Sequence, residues 1–199
     1  MIDVFNRNIF LIRENFRLLK AEFDFDICDP ETGNVLLKAT EDKVRGLIKL
    51  FRFSSYKTTT PFDIKVGTLD GQPALRIAKG IPKVVLRIKV FDSNGELIGV
   101  FRQKPFSISG AFDVLDAEDR PVCRLKGGLG GWNFSFMTPD GIELARIVKK
   151  WTNLGKELCT SADDYILVID EAVPRDSMTR QLVVASALCV GLTMKIEVL

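Results

Sequence analysis

Apolar and polar residues alternate along most of this chain with a period of two, the pattern of strands that bury one face. Glu22-Phe23-Asp24-Phe25-Asp26-Ile27 sets Phe23, Phe25 and Ile27 on one side and three acids on the other. The same alternation recurs through Phe62, Ile64 and Val66, through Leu86, Ile88 and Val90, through Phe106, Ile108, Phe112 and Val114, and through Trp132, Phe134 and Phe136. Aromatic residues on one face and charge on the other predict an antiparallel sheet with one face in water.

A weak internal repeat links these strands: an Asp/Gly-type turn, then a short strand that holds Leu or Val, several copies ending in a basic residue. Copies begin at Asp29, Asp70, Asp92, Asp116 and Thr138, and from Asp70 onward the spacing is roughly 23 residues, room for two strands and two turns of ordinary length. Glycine and Asp/Asn supply the backbone conformations of tight reversals, so each copy reads as a hairpin tip. The sum is a meander of about twelve strands. So many antiparallel strands must close or form two layers to hide their edges. A closed barrel of that width has a hollow interior, since about eight strands already suffice to be filled by their own side chains.

The filling is supplied by the last apolar run, Arg175 to Met194. Asp176 or Ser177 can cap its start. Met178, Leu182, Val183, Val184, Leu188, Val190 and Leu192 fall all around a helix axis, whereas a surface helix keeps a polar face. Ala185, Ser186, Ala187, Cys189 and Gly191 keep the rod thin. The uninterrupted part, Leu182 to Met194, is roughly 20 Å long against a hydrocarbon core of about 30 Å. The run therefore reads as a core helix over about 176–192, with a membrane anchor as the competing reading. Lys195-Ile196-Glu197-Val198-Leu199 alternates again, a return to strand that an anchor does not require.

With 199 residues, no linker-like run, 27% charged and 46% hydrophobic residues, the chain suits a single barrel domain over 1–199 with a sizeable core. The net charge of +2 gives no global pull toward nucleic acid, so none is expected as a partner and any basic site must be local. There is no histidine, which excludes Ser-His-Asp and Cys-His hydrolases. The four cysteines, Cys28, Cys123, Cys159 and Cys189, are far apart and read as reduced hydrophobes. Met1 to Arg13 lacks the apolar core and cleavage site of a signal peptide, which makes a cytoplasmic location the expectation.

Three local features have residues that could carry chemistry. Lys43 to Phe53 mixes Lys43, Arg45, Lys49 and Arg52 with Val44, Leu47, Ile48, Leu50, Phe51 and Phe53. As a helix it would line Val44, Leu47, Ile48 and Phe51 along one side and hold its cations near lipid headgroups. Its plainer reading is a crossover covering one barrel mouth, and Gly46 in its middle weakens the helix. Gly127-Gly128-Leu129-Gly130-Gly131 lacks the spacing and terminal Lys-Ser/Thr of a phosphate loop and reads as a hairpin loop. Paired acids, Asp163 with Asp164 and Asp24 with Asp26, read as a solvated strand face in preference to acid–base catalysts.

The segment Ala145-Arg146-Ile147-Val148-Lys149-Lys150-Trp151-Thr152-Asn153-Leu154 resembles the part of phospholipid scramblases where a strand leads to a basic residue, a tryptophan and a small polar residue. Ala162-Asp163-Asp164-Tyr165 follows at the matching distance, similar to the family's Ala-Asp-Asn-Phe, and then comes the apolar helix. The upstream hairpins resemble the wider group of scramblases, LURP-one-related proteins and the tubby C-terminal domain. That resemblance implies a mainly β fold, a twelve-stranded antiparallel closed barrel of tubby type around a buried C-terminal helix. Scramblases follow the Trp motif with an acidic calcium-binding segment. Here Ser161 stands at its first acidic position, Ile166 replaces a glycine and Asp170 a proline, so around Asp163 and Asp164 no metal or other cofactor is expected. The proline-rich start and acylated cysteines of animal scramblases are also missing.

Lys149, Lys150 and Trp151 suit a phosphate-bearing interface, with a strand end whose Trp151 caps the barrel as the plainer reading. The resemblance and the two basic-aromatic stretches lead to one expectation: peripheral binding of anionic phospholipid or phosphoinositide, without enzymatic chemistry. The alternative is a soluble protein-interaction or regulatory scaffold. Oligomeric state is not legible.

Overall fold

In the computed structural model the described residues are 3–15, 21–44, 46, 48, 60–81, 85–104, 112–127, 133–149 and 164–193. A 3-10 turn, Asp3–Asn6, precedes β1 (Ile9–Glu14), β2 (Asp24–Cys28), β3 (Val35–Glu41), β4 (Phe62–Gly67), β5 (Pro73–Lys79) and β6 (Arg87–Phe91). Then come β7 (Leu97–Gln103), β8 (Phe112–Asp116), β9 (Pro121–Gly127), β10 (Phe134–Met137), β11 (Glu143–Val148), β12 (Tyr165–Ile169) and the helix α1 (Met178–Thr193). Each strand pairs antiparallel with its neighbours in sequence, and β1 pairs with β12 through Ile9↔Val168 and Ile12↔Tyr165. The alternating pattern thus closes into the expected twelve-stranded barrel, and closure leaves no free sheet edge.

The inward residues of every strand meet α1 in one core, in which Phe10, Ile12, Phe25, Ile27, Phe101 and Phe136 are among the largest members. From Arg180 to Leu192 every helical residue is buried, as the all-round apolar pattern requires. The rod must be thin where it meets rings. A Cβ on Gly191 would lie 2.7 Å from the Tyr165 hydroxyl and 3.3 Å from the Phe25 ring. That hydroxyl donates to the Ala187 carbonyl at 3.0 Å, so the phenol is seated against the helix backbone. On the barrel side, a Cβ on Gly99 of β7 would meet Leu182 Cδ2 at 2.7 Å.

The two rims differ. Odd-numbered strands run from a rim of tight turns (29–34, 68–72, 92–96, 117–120, 138–142) toward a rim of longer connections (42–61, 104–111, 149–164 among them). In four of the tight turns the first residue's side chain accepts the N–H four residues on: Thr68 from Gln72 at 3.0 Å, Asp92 from Glu96 at 2.9 Å, Asp116 from Arg120 at 2.9 Å, Thr138 from Ile142 at 3.0 Å. The residue three places on takes a left-handed backbone: Gly71, Gly95, Asp119 and Gly141, with φ of 88°, 83°, 62° and 87°. The repeat is therefore real, but its second copy is anchored by Thr68, two residues before the expected Asp70, because a threonine hydroxyl serves as well as a carboxylate.

α1 enters from the tight-turn rim. Ser177 is its cap, its Oγ accepting the Arg180 N–H at 3.4 Å. Asp176 is displaced from that role: its φ is 54°, and it exchanges two bonds with the Asn6 amide, at 2.8 and 3.1 Å. Arg180, 1% exposed, lies inside the mouth. Its guanidinium donates to the carbonyls of Val173 (3.0 Å), Pro174 (3.2 Å), Phe5 (3.4 Å) and Arg7 (2.9 Å), and to Asn8 Oδ1 (2.8 Å). A cation with no carboxylate partner among the described residues thus ties the 3-10 turn and the β12–α1 connection to the helix.

Candidate functional site

Of the residues expected to bind lipid or a partner, two are described. Lys43 is exposed, just beyond the end of β3, and Lys149 is half-buried, one residue past β11. Both strands run toward the rim of longer connections, so two stretches distant in sequence deliver a cation to the same rim. Arg45, Lys49, Lys150, Trp151 and Arg52 lie outside the described residues, as does Asp163. A helix running unbroken from Lys43 is corrected by Gly46, whose φ of 65° is left-handed and incompatible with a right-handed helix through that residue.

Two of the paired acids, Asp26 and Asp164, are not on the solvated faces they resemble in sequence. Asp164 is fully buried, with its Oδ2 3.8 Å from Arg13 Nε. Asp26, opposite Arg13 in the β1–β2 register, is half-buried, and its Oδ1 has no hydrogen-bond partner among the described residues. The cause is an outer apolar cluster on this wall: Leu11, Cys28 and Ile166 are buried there, with Ile9, Val35, Val148 and Val168 packed against them. Burial pushes the Cys28 thiol above its ordinary pKa, an effect that Arg13 opposes. Cys123 and Cys189 point into the core, and burial raises both, Cys123 to about 12. These three cysteines are free, buried thiols, and Cys159 is outside the described residues.

Near the long-connection rim the interior is closed by aromatics. Phe23 meets Phe62 edge to face at 5.6 Å, and the buried Lys79 ammonium sits 5.1 Å from the Phe62 ring centre. Close to the tight-turn rim, a groove of 390 Å³ on the outer wall of β3 to β5 is lined by Lys38, Lys65, Thr68, Arg76 and Ser93. Lys65 is paired with Asp42 at 2.8 Å, and Arg76 grips Asp63 through two bonds of 2.8 and 2.6 Å. Most of its cationic charge is thus already matched.

A stronger basic cluster escaped the sequence reading. Asp113 on β8 stands opposite Arg102 on β7 and Arg124 on β9. Its carboxylate accepts from Arg102 at 3.3 Å and Arg124 at 3.2 Å, with Lys104 Nζ at 3.7 Å. One nearly buried acid therefore fixes three cations on the outer wall. The signal was available in three Arg-x-Lys triplets, 87–89, 102–104 and 124–126, whose spacing of two sets both cations on one strand face.

Among the described residues no helix is long and apolar enough to cross a membrane. Comparison with curated proteins gives no match. An X-ray structure of an Arabidopsis thaliana protein is similar at 14% identity, with a TM-score of 0.48 and 91% of each chain covered. The family model described as Scramblase matches residues 24–194, from the start of β2 through the end of α1. The chain belongs to the scramblase family.

Proposed function

We propose that this barrel associates peripherally with anionic phospholipid or phosphoinositide through basic patches on its outer surface. Membership of the scramblase family supports a lipid-related role. The observation that carries the finer reading is that β3 and β11, four steps apart around the barrel, both end at the rim where Lys43 and Lys149 stand. The walls support peripheral contact. A barrel that spans a bilayer turns an apolar band outward, whereas Lys38, Lys65, Arg76, Arg102 and Arg124 all point outward here and are solvent-accessible. The interior is occupied by α1, whose residues from Arg180 to Leu192 are all buried, which favours contact from the outside.

Flotation with vesicles of phosphatidylcholine, alone or doped with phosphatidylserine or a phosphoinositide, tests the reading at low and physiological salt. Binding to the doped vesicles is expected, weaker at higher salt and weaker in a Lys149→Glu/Lys150→Glu variant, since exposed charges lose their reach as the screening length falls to about 8 Å. Parallel runs with and without calcium are expected to agree. No flotation under any condition would transfer the protein to the scaffold reading.

A further inference from the structure

We infer that the outer wall of β6 to β9 is the face this barrel lays against an anionic membrane, an inference that rests on the lipid reading above. The outward positions on and just beyond these strands hold Arg87, Lys89, Arg102, Lys104, Arg124 and Lys126. Against six cations the strand faces set one carboxylate, Asp113, while the acids of the flanking turns, Asp92, Glu96, Asp116, Glu118 and Asp119, gather with Arg120 at the tight-turn rim, where Asp119 pairs with Arg87 at 2.5 Å. Six less one leaves an excess of five on the strand faces of this wall, in a chain whose total is +2. The near-neutral total therefore conceals a strongly polarised surface. The wall of β2 to β5 differs: Asp24, Asp26 and Asp63 match Lys38, Lys65 and Arg76 in number.

The arrangement is costly to folding and suits an anion-rich plane. Arg87 and Arg102 are directly opposite in the β6–β7 register, a like-charge pair that destabilises a sheet. Arg87, Arg102, Asp113 and Arg124 form one row across four strands, which at the usual interstrand spacing spans about 14 Å. Asp113, 9% exposed, holds Arg102 and Arg124 by the guanidinium and leaves most of their N–H groups free for phosphate oxygens. Lys89 and Lys126 are exposed and make no ion pair among the described residues. A row of cations on a flat strand wall, without a deep pocket, fits many headgroups held in a plane.

The test compares vesicle partitioning of the full chain with that of Lys89→Glu/Lys126→Glu, chosen because neither lysine holds the fold. The double reversal takes four charges from the excess of five, and with each basic residue near an anionic surface counting for roughly fivefold, the partition coefficient should fall at least tenfold. Arg102→Gln, which keeps the strand and removes one guanidinium, should fall severalfold, and circular dichroism of both variants should match the wild type. If the wild type floats and both variants float equally well, the wall is not the docking face, while the lipid reading stands. If the wild type does not float, the lipid reading itself has failed. Retention of the wild type on RNA, with no vesicle binding, would also overturn the inference.

Discussion

Arg180 offers the sharpest test of how the barrel holds its helix. The side chain is 1% exposed, and its hydrogen-bond partners are four backbone carbonyls and one amide oxygen. Arg180→Met keeps much of the apolar stem and removes every donor. The bonds to the Val173 and Phe5 carbonyls are buried, so those oxygens would lose a donor out of reach of water. A buried unsatisfied group costs about 1–3 kcal/mol. Two such groups and the lost bonds to the half-buried acceptors destabilise, while relief from holding a desolvated charge opposes them; burial already lowers the Arg180 pKa, and the nearby Arg175 adds to that. The net expectation is a loss of about 3 kcal/mol, or roughly 6–12 °C in Tm for a chain of this size. Urea unfolding followed by far-UV circular dichroism measures it. Arg175→Met, at an exposed position, should change stability by less than about 0.5 kcal/mol, and Arg180→Lys should fall between the two because an ammonium cannot reproduce the planar fork. The N-terminal turn should loosen as well, giving faster tryptic cleavage after the exposed Arg7. If Arg180→Met and Arg175→Met unfold at the same urea concentration, the buried guanidinium is not what fastens this mouth.

Gly191→Ala should destabilise by roughly 1–2 kcal/mol despite the better helix propensity of alanine, because its Cβ meets the Tyr165 hydroxyl. Adding Tyr165→Phe should recover part of that loss in the same urea assay, and a single Ala variant more stable than wild type would refute the close fit. The second prediction concerns acid. The hydrogen bond from Arg76 holds Asp63 below its ordinary pKa of 3.8, with burial opposing it, and the Thr32 N–H does the same for Asp29. A folded-state pKa below the unfolded one means stability that is full above about pH 4 and lost as pH falls through the lowered values. Asp63→Asn should flatten the decline in urea midpoint between pH 5 and pH 3, and an unchanged slope would show that the exposed Asp63–Arg76 pair contributes nothing.

Most of the barrel was legible because its signals are local and repeated. Alternation of Phe23, Phe25 and Ile27 with acids marked β2, and the same rule marked β4, β6, β8 and β10. α1 was legible within two residues from a run that is apolar on every side. What alternation does not disclose is the surroundings of the outward face. Asp26 and Asp164 have the spacing of solvated acids, yet the neighbouring Leu11, Cys28 and Ile166 are buried on the same wall, and this depends on strands far apart in sequence. In sequence Arg180 is merely the polar flank of an apolar run. Its burial follows from the path of the chain start across the barrel mouth, which places Phe5, Arg7 and Asn8 around it and leaves no trace in local pattern.

The basic endings of the internal repeat gain their meaning only from topology. An antiparallel meander sends every second strand toward the same rim, so a repeat of two strands returns its final residues to that rim each time. Lys104, Lys126 and Lys149 follow or end β7, β9 and β11, one repeat apart, and arrive side by side on successive odd strands. Whether such a series becomes a charged surface is decided by the strands between. On β2 and β4 outward Asp24, Asp26 and Asp63 compensate their neighbours, whereas β6 adds Arg87 and Lys89, and β8 sets Asp113 outward while its terminal Asp116 pairs with Arg120 of the turn. Charge that cancels in composition is thus separated around the barrel circumference. A net charge of +2 says nothing of that separation, and it is the separated charge, within a screening length of about 8 Å, that an approaching anionic surface would meet.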